Sequence, residues 1–195
     1  MLASGKGSNL QALLDDPVVR PWIVLVVSDR QDAGALRLAE DNDVAGIFLD
    51  PQAHPDREGY GSALLNVLSM ENIEFVALAG FMRILSREVV AAYDGRMLNV
   101  HPSLLPAFGG GIHAVRDALE WGVKVSGATV HLVDEQPDHG PIVLQEAVPV
   151  VPGDDEASLH ARIQAVEHRL YPRAVRLLVE GKLKVEGRMV HLLDL

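Results

Sequence analysis

The sequence predicts an α/β fold: an open, mostly parallel, twisted sheet with helices on both faces and a mixed C-terminal part. Three observations predict it. Short apolar runs, the first crowded with Val and Ile, lack strict in/out alternation, which is how strands buried on both faces read. Amphipathic runs of helical period lie between them, and strand–helix alternation gives a parallel sheet covered on both sides. The second half changes character, with two strands joined by a short polar stretch and then a long helix.

The elements follow in order. Residues 1–3 are an apolar stub before a glycine-rich segment, short even for an edge strand. Strands are expected at residues 22–28 (WIVLVVS), 45–49, 75–79 and 97–101, and helices at 8–14, 35–42, 57–69 and 86–93. Residues 129–133 and 142–150 read as strands around the polar stretch 134–140. A helix then starts near Glu156. Leu159, Ile163, Val166 and Leu170 form its apolar stripe, and Asp154 or Asp155 is placed to cap it. Pro172 removes a helical hydrogen bond and is expected to kink or break this helix.

Composition bounds the function. With 195 residues, a single domain over 1–195 is expected. The 0 cysteines leave no thiol nucleophile, thiolate-held metal or disulfide framework, and fit a reducing cytoplasm. A net charge of −10 argues against broad nucleic-acid binding, which needs a basic face. No apolar run approaches the roughly 18 residues of a membrane span, and no cationic start precedes an apolar stretch, so neither a membrane anchor nor a signal peptide is expected.

Two segments carry chemistry. Gly5, Lys6, Gly7, Ser8 and Asn9 join the stub to the first helix. Glycines let backbone approach a ligand, and a helix N-terminus offers free N–H groups that suit phosphate. The spacing is neither that of a Walker loop nor G-x-G-x-x-G, so a plain strand–helix turn stays open. Asn99 and His101 share one side of a strand, and Pro102 helps end it. The carboxyl ends of such strands are where open α/β sheets bind ligands. There an amide can stabilise an oxyanion and an imidazole can move protons; the plain alternative is a pair tying down the following loop. Asp138 lies in the turn-rich stretch Gln136-Pro137-Asp138-His139-Gly140. If that loop reaches His101, its carboxylate favours the charged ring and raises its pKa; otherwise Asp138 is a surface-turn residue. Phe81, Met82, Arg83, Ile84 and Leu85 follow a strand and offer a wall for a flat heterocycle, or ordinary core packing.

Together these segments resemble the folate-dependent formyltransferases. The matches run in order: SGKGSNLQA from Ser4, LAGFMRILS from Leu78, NVHPSLLP from Asn99, GATVH from Gly127, DHGPI from Asp138, and QAVEH from Gln164 with Tyr171-Pro172. The Asn-x-His-Pro-Ser-Leu-Leu-Pro motif belongs to these enzymes and their hydrolase relatives, and the glycine loop narrows the resemblance to the glycinamide ribonucleotide transformylases. It implies a Rossmann-like formyltransferase fold and formyl transfer from 10-formyltetrahydrofolate to the amino group of glycinamide ribonucleotide in purine synthesis. Asn99, His101 and Asp138 then match the catalytic three. Gly5, Lys6, Gly7, Ser8 and Asn9 match the phosphate loop, with Met82, Gln164 and Glu167 on the rest of the ribonucleotide. Leu78, Arg83, Ile84, Leu85, Met97 and Val133 match the folate pocket, Asp134, Glu135, Gln136, Pro137 and Asp138 the loop at the pterin, and Arg57 a position on the folate side. The resemblance implies folate as co-substrate, no metal, small-molecule partners, and a monomer or homodimer in the cytoplasm.

Two departures stand out: the segment Phe108-Gly109-Gly110-Gly111-Ile112-His113 is one residue longer than the family pattern, and His139 replaces a small residue beside Asp138. Other readings are kept. A methionyl-tRNA formyltransferase has an extra domain and basic surface that this chain lacks. A formyltetrahydrofolate hydrolase would use water as acceptor. A metal hydrolase would draw on His101, His113, His131, Asp138 and His139, without a supporting tight spacing. A non-catalytic nucleotide-binding module would use the glycine loop alone.

Overall fold

The computed structural model describes residues 1–193. The chain divides into two compact units, Met1–Leu98 and Asn99–Leu195. The fold is α/β, with a mostly parallel sheet, surrounding helices and an antiparallel C-terminal part.

The first unit holds β1 (Leu25–Ser28), β2 (Ala45–Phe48), β3 (Val76–Ala79) and the start of β4 (Met97–His101). Its helices are α1 (Ser8–Asp15), α2 (Gly34–Glu40), α3 (Arg57–Met70) and α4 (Arg87–Ala92). β1 and β2 pair in parallel, Leu25 opposite Ala45 through Ser28 opposite Phe48. β1 and β3 are buried throughout, as their unalternating apolar sequences require. β2 departs from that reading: its residues are mostly exposed, because it pairs with β1 on one side only. The N-terminal stub is the opposite surprise. Leu2 bridges both Val27 and Leu78 in parallel and is fully buried, so this short segment lies between β1 and β3 and not at an edge. The predicted strand at 22–28 starts three residues late, because Arg20–Trp22 form a 3-10 turn with Pro21 near its start. Asp56 and Ser86 cap α3 and α4, accepting from Gly59 N–H at 2.7 Å and Val89 N–H at 3.5 Å.

The second unit holds the end of β4, then α5 (Ala114–Glu120), β5 (Val125–Leu132), β6 (Ile142–Pro149), α6 (Glu156–Val179), β7 (Leu183–Glu186) and β8 (Met189–Leu192). The strand order is β4-β5-β6, with β5 and β6 antiparallel. Their register runs from Val125 opposite Pro149 to Val130 opposite Leu144, then shifts so that His131 faces Ile142. Val143 is the extra residue of this bulge, a device that re-aims side chains. α6 packs on β5 and β6. Its stripe Leu159, Ile163, Val166 and Leu170 is buried as expected, and Asp155 caps it in a reciprocal box with Ser158.

Pro172 does not break α6, which stays helical over 24 residues. Tyr171 just before it and Ala174, Val175, Leu177 and Leu178 after it continue the buried face. Fully burying one large apolar side chain contributes about 1.5–3 kcal/mol, so this run outweighs the roughly 3 kcal/mol cost of an internal proline. The β7–β8 hairpin and short α5 were not predicted. Among the described residues no helix is long and apolar enough to cross a membrane.

Candidate active site

In the first unit the glycine segment leads directly into α1. Gly7 occupies the N-cap position with φ +88°, a conformation that side-chain-bearing residues rarely adopt, and no side chain caps the helix there. Ser4, just before the loop, is buried; its hydroxyl donates to Asp29 Oδ1 at 2.5 Å and accepts from Met82 N–H at 3.0 Å. With Ser4 N–H on the Gly80 carbonyl at 3.2 Å, the glycine loop is fastened to the turn that follows β3. Ser4 opens the matched SGKGSNLQA segment, but its anchoring to Asp29 is not legible in the sequence, because the contact spans 25 positions.

The folate-side positions of this unit differ in exposure. Met82 and Ile84 are more than half exposed, whereas Leu78 and Met97 are buried within β3 and β4. Arg83 lies over the Tyr60 ring at 5.1 Å, a cation–π contact. Burial, then the charge of Asp29, pushes the Tyr60 hydroxyl up to about 12. Arg57 opens α3 and is held by its neighbour Glu58 at 2.9 Å.

In the second unit, β4 ends with Asn99 and His101, and the loop between β5 and β6 brings Asp138 to both. Asp138 Oδ2 is 3.3 Å from His101 Nδ1 and accepts from Gly110 N–H at 2.9 Å, while Oδ1 accepts from Asn99 Nδ2 at 3.3 Å. His101 Nε2 lies 3.0 Å from the Phe108 carbonyl oxygen. Both ring nitrogens of His101 thus face oxygens, Nδ1 the Asp138 carboxylate and Nε2 the Phe108 carbonyl. Burial pushes the Asp138 carboxyl up, but the His131 hydrogen bond, the charge of His101 and the Gly110 N–H together outweigh it and hold it below the usual carboxylate value.

A fourth side chain joins them. His131, re-aimed at the β5–β6 bulge, is 2% exposed. Its Nδ1 lies 2.8 Å from the Leu132 carbonyl oxygen, and its Nε2 lies 3.2 Å from Asn99 Nδ2. His131 Nε2 is also 3.6 Å from Asp138 Oδ1. Asn99 Nδ2 therefore faces both His131 Nε2 and Asp138 Oδ1. The sequence pointed to His131 as the end of the matched GATVH segment and as a metal-ligand candidate, with no role beside Asn99. The available signal was an imidazole within the buried apolar run of β5.

The loop after His101 is pinned from β5 and β6. Thr129 Oγ1 donates to the Ser103 carbonyl at 2.6 Å and accepts from Leu105 N–H at 3.1 Å and Gln145 Nε2 at 2.9 Å. Gly140 closes the Asp138 loop, and a Cβ there would overlap the Leu132 carbonyl oxygen. Val133 and Asp134 are half-buried, Glu135, Gln136 and Pro137 exposed. Gln164 and Glu167, three residues apart, share one face of α6, with Glu167 buried. His139 is turned to Asp134 at 2.7 Å and not into the His101–Asp138 pair. Among the described residues no group of three or more His, Asp or Glu side chains is arranged to hold a metal ion.

Comparison with known proteins follows this geometry. The formyl transferase family model matches residues 1–175. The phosphoribosylglycinamide formyltransferase of Escherichia coli is 42% identical over 188 residues, covering 95% of this chain and 88% of that protein. The trifunctional purine biosynthetic protein adenosine-3 of Drosophila pseudoobscura pseudoobscura is 46% identical over 94% of this chain, which spans only 14% of that protein's length. The crystal structure of glycinamide ribonucleotide transformylase 1 from Symbiobacterium toebii superposes with a TM-score of 0.94 at 48% identity, covering 99% of this chain and 92% of that one. With the Asn-x-His-Pro-Ser-Leu-Leu-Pro motif at the end of β4, the chain belongs to the formyl transferase family.

Proposed function

We propose that this chain transfers the formyl group of 10-formyltetrahydrofolate to the amino group of glycinamide ribonucleotide, the activity named for its E. coli and S. toebii relatives. The observation that carries the proposal is the convergence of Asn99, His101 and Asp138 by hydrogen bonds and an ion pair across 39 positions of sequence.

The chemistry follows from the side chains. Gly5, Lys6, Gly7, Ser8 and Asn9 hold the ribonucleotide phosphate on the uncapped start of α1. Met82, Gln164 and Glu167 contact the remainder of the ribonucleotide. Arg57, Leu78, Arg83, Ile84, Leu85, Met97 and Val133 serve the folate, and Asp134, Glu135, Gln136 and Pro137 form the loop at its pterin. The neutral amine attacks the formyl carbon and a tetrahedral oxyanion develops. His101 meets it through Nε2–H, the formyl oxygen taking the place of the Phe108 carbonyl. Asn99 adds a donor by redirecting the hydrogen of its long 3.3 Å bond to Asp138. Asp138 keeps the imidazolium oriented and charge-balanced. The attacking nitrogen then loses a proton, the folate nitrogen gains one, and the carbon–nitrogen bond to the folate breaks. The reaction belongs in the cytoplasm, with two small molecules as partners.

The test is release of tetrahydrofolate from 10-formyltetrahydrofolate with and without glycinamide ribonucleotide. Release only with the ribonucleotide is expected. Equal release without it would replace this reading by hydrolysis, with water as the acceptor.

A further inference from the structure

The backbone at Asp138 is strained. Its φ is +53°, in the left-handed region that costs a non-glycine residue free energy unless its surroundings hold it there. Within the loop the restraint is slight: Gln136 N–H meets Asp134 Oδ1 at 2.9 Å, and His139 N–H meets the Gln136 carbonyl at 3.3 Å.

The stronger restraint grips the next residue. His139 Nδ1 lies 2.7 Å from Asp134 Oδ2, and its Nε2 lies 3.3 Å from one terminal nitrogen of Arg188. The other terminal nitrogen of Arg188 donates to the His139 carbonyl oxygen at 2.6 Å. Arg188 sits in the tight turn between β7 and β8, beyond the residues that the family model matches. The neutral ring with hydrogen on Nδ1 satisfies both neighbours, because the Asp134 carboxylate accepts and the Arg188 guanidinium donates. Arg188, from the C-terminal hairpin, thus meets His139 at both its ring and its carbonyl.

We propose that Arg188 is a positioning residue for formyl transfer, holding the Asp138 carboxylate in place through both the ring and the carbonyl of His139. The inference rests on the function proposed above. These contacts are substantially exposed, so they contribute little to global stability; their effect falls on the orientation of one strained residue, where small displacements of a catalytic group are costly in rate.

The experiment uses the full chain at saturating concentrations of both substrates. Arg188→Ala is expected to lower kcat about tenfold, the loss of roughly one to two hydrogen bonds from a charged donor. KM for the ribonucleotide and Tm should stay near wild type. Arg188→Lys keeps one donor for the carbonyl and should recover part of the loss, to within about threefold of wild type. In a His139→Ala background the further cost of Arg188→Ala should shrink, because the ring bond is already gone. A wild-type enzyme that transfers formyl groups while Arg188→Ala keeps kcat within twofold overturns this inference alone, as does a lowered Tm with unchanged kcat. If Arg188→Ala does not fold, Arg188→Gln takes its place, with about a threefold loss of kcat expected and no loss overturning the inference. Absence of ribonucleotide-dependent transfer by the wild type would overturn the proposed function, and this role with it.

Discussion

Replacing Asp138 by asparagine keeps its shape and removes its charge. The carboxylate accepts from Gly110 N–H at 2.9 Å and faces His101 Nδ1 at 3.3 Å on one oxygen, with Asn99 Nδ2 at 3.3 Å on the other. An asparagine can present its single oxygen to only one of these sides. Its better orientation keeps Gly110 and His101 and sets its own NH2 against that of Asn99. One bond of about 1 kcal/mol is then lost, and two charge-assisted bonds fall to roughly half their strength, a further ~2 kcal/mol. A loss of ~3 kcal/mol is about 10²-fold in rate. The loss of an orienting carboxylate from a hydrolytic triad, about 10⁴-fold, sets the upper end. The assay is the initial rate of tetrahydrofolate release at saturating substrates. A stability measurement accompanies it with a defined sign. The folded-state pKa of Asp138 is depressed, so its charge stabilises the fold above the ordinary carboxylate value and that contribution disappears as pH falls through the depressed value. The difference in unfolding free energy between wild type and Asp138→Asn should therefore shrink below about pH 4. A variant within fivefold of wild-type kcat, with the same pH profile, would refute the role given to this carboxylate.

Other substitutions separate chemistry from scaffold. Asn99→Ala and His101→Ala should each fold and lose at least about 10²–10³ in kcat, read in the same assay. His131→Phe removes the ring nitrogen that faces Asn99 Nδ2 and should lower kcat about tenfold; if its kcat is unchanged, Asn99 is oriented by Asp138 alone. Leu159→Ala empties a fully buried position of α6 and should cost about 2–5 kcal/mol in denaturant unfolding. Its kcat, measured where it remains folded, should stay near wild type.

The parts of the fold legible in sequence are those whose cause is local. Apolar runs without alternation mark β1 and β3 because burial on both faces leaves no polar side. α6 is legible because its stripe recurs at helical spacing behind an aspartate cap. The misreadings arise where a neighbour decides. β2 carries an apolar sequence yet pairs on one side only, so its exposure depends on which strands follow it in the sheet. The stub at residues 1–3 becomes an inner element because Leu2 finds partners on two sides, 25 and 76 positions away.

The same division runs through the candidate site. Asn99 and His101 were legible as a pair because strand geometry sets residues two apart on one side. Asp138 entered as a pairing conditional on a loop reaching β4, and only the folded chain brings the carboxylate within 3.3 Å of the ring. His131 remained a bare imidazole in an apolar run, because its role is set by a one-residue bulge that no local propensity encodes. Gly110 and the Phe108 carbonyl contribute backbone atoms, which every residue possesses, so no residue type can announce them. A side chain's chemistry is thus read from its type, whereas its protonation pattern is read from its partners. At Asn99 that distinction concerns which end of the amide turns toward Asp138: it is the nitrogen, 3.2 Å from His131 Nε2 and 3.3 Å from Asp138 Oδ1.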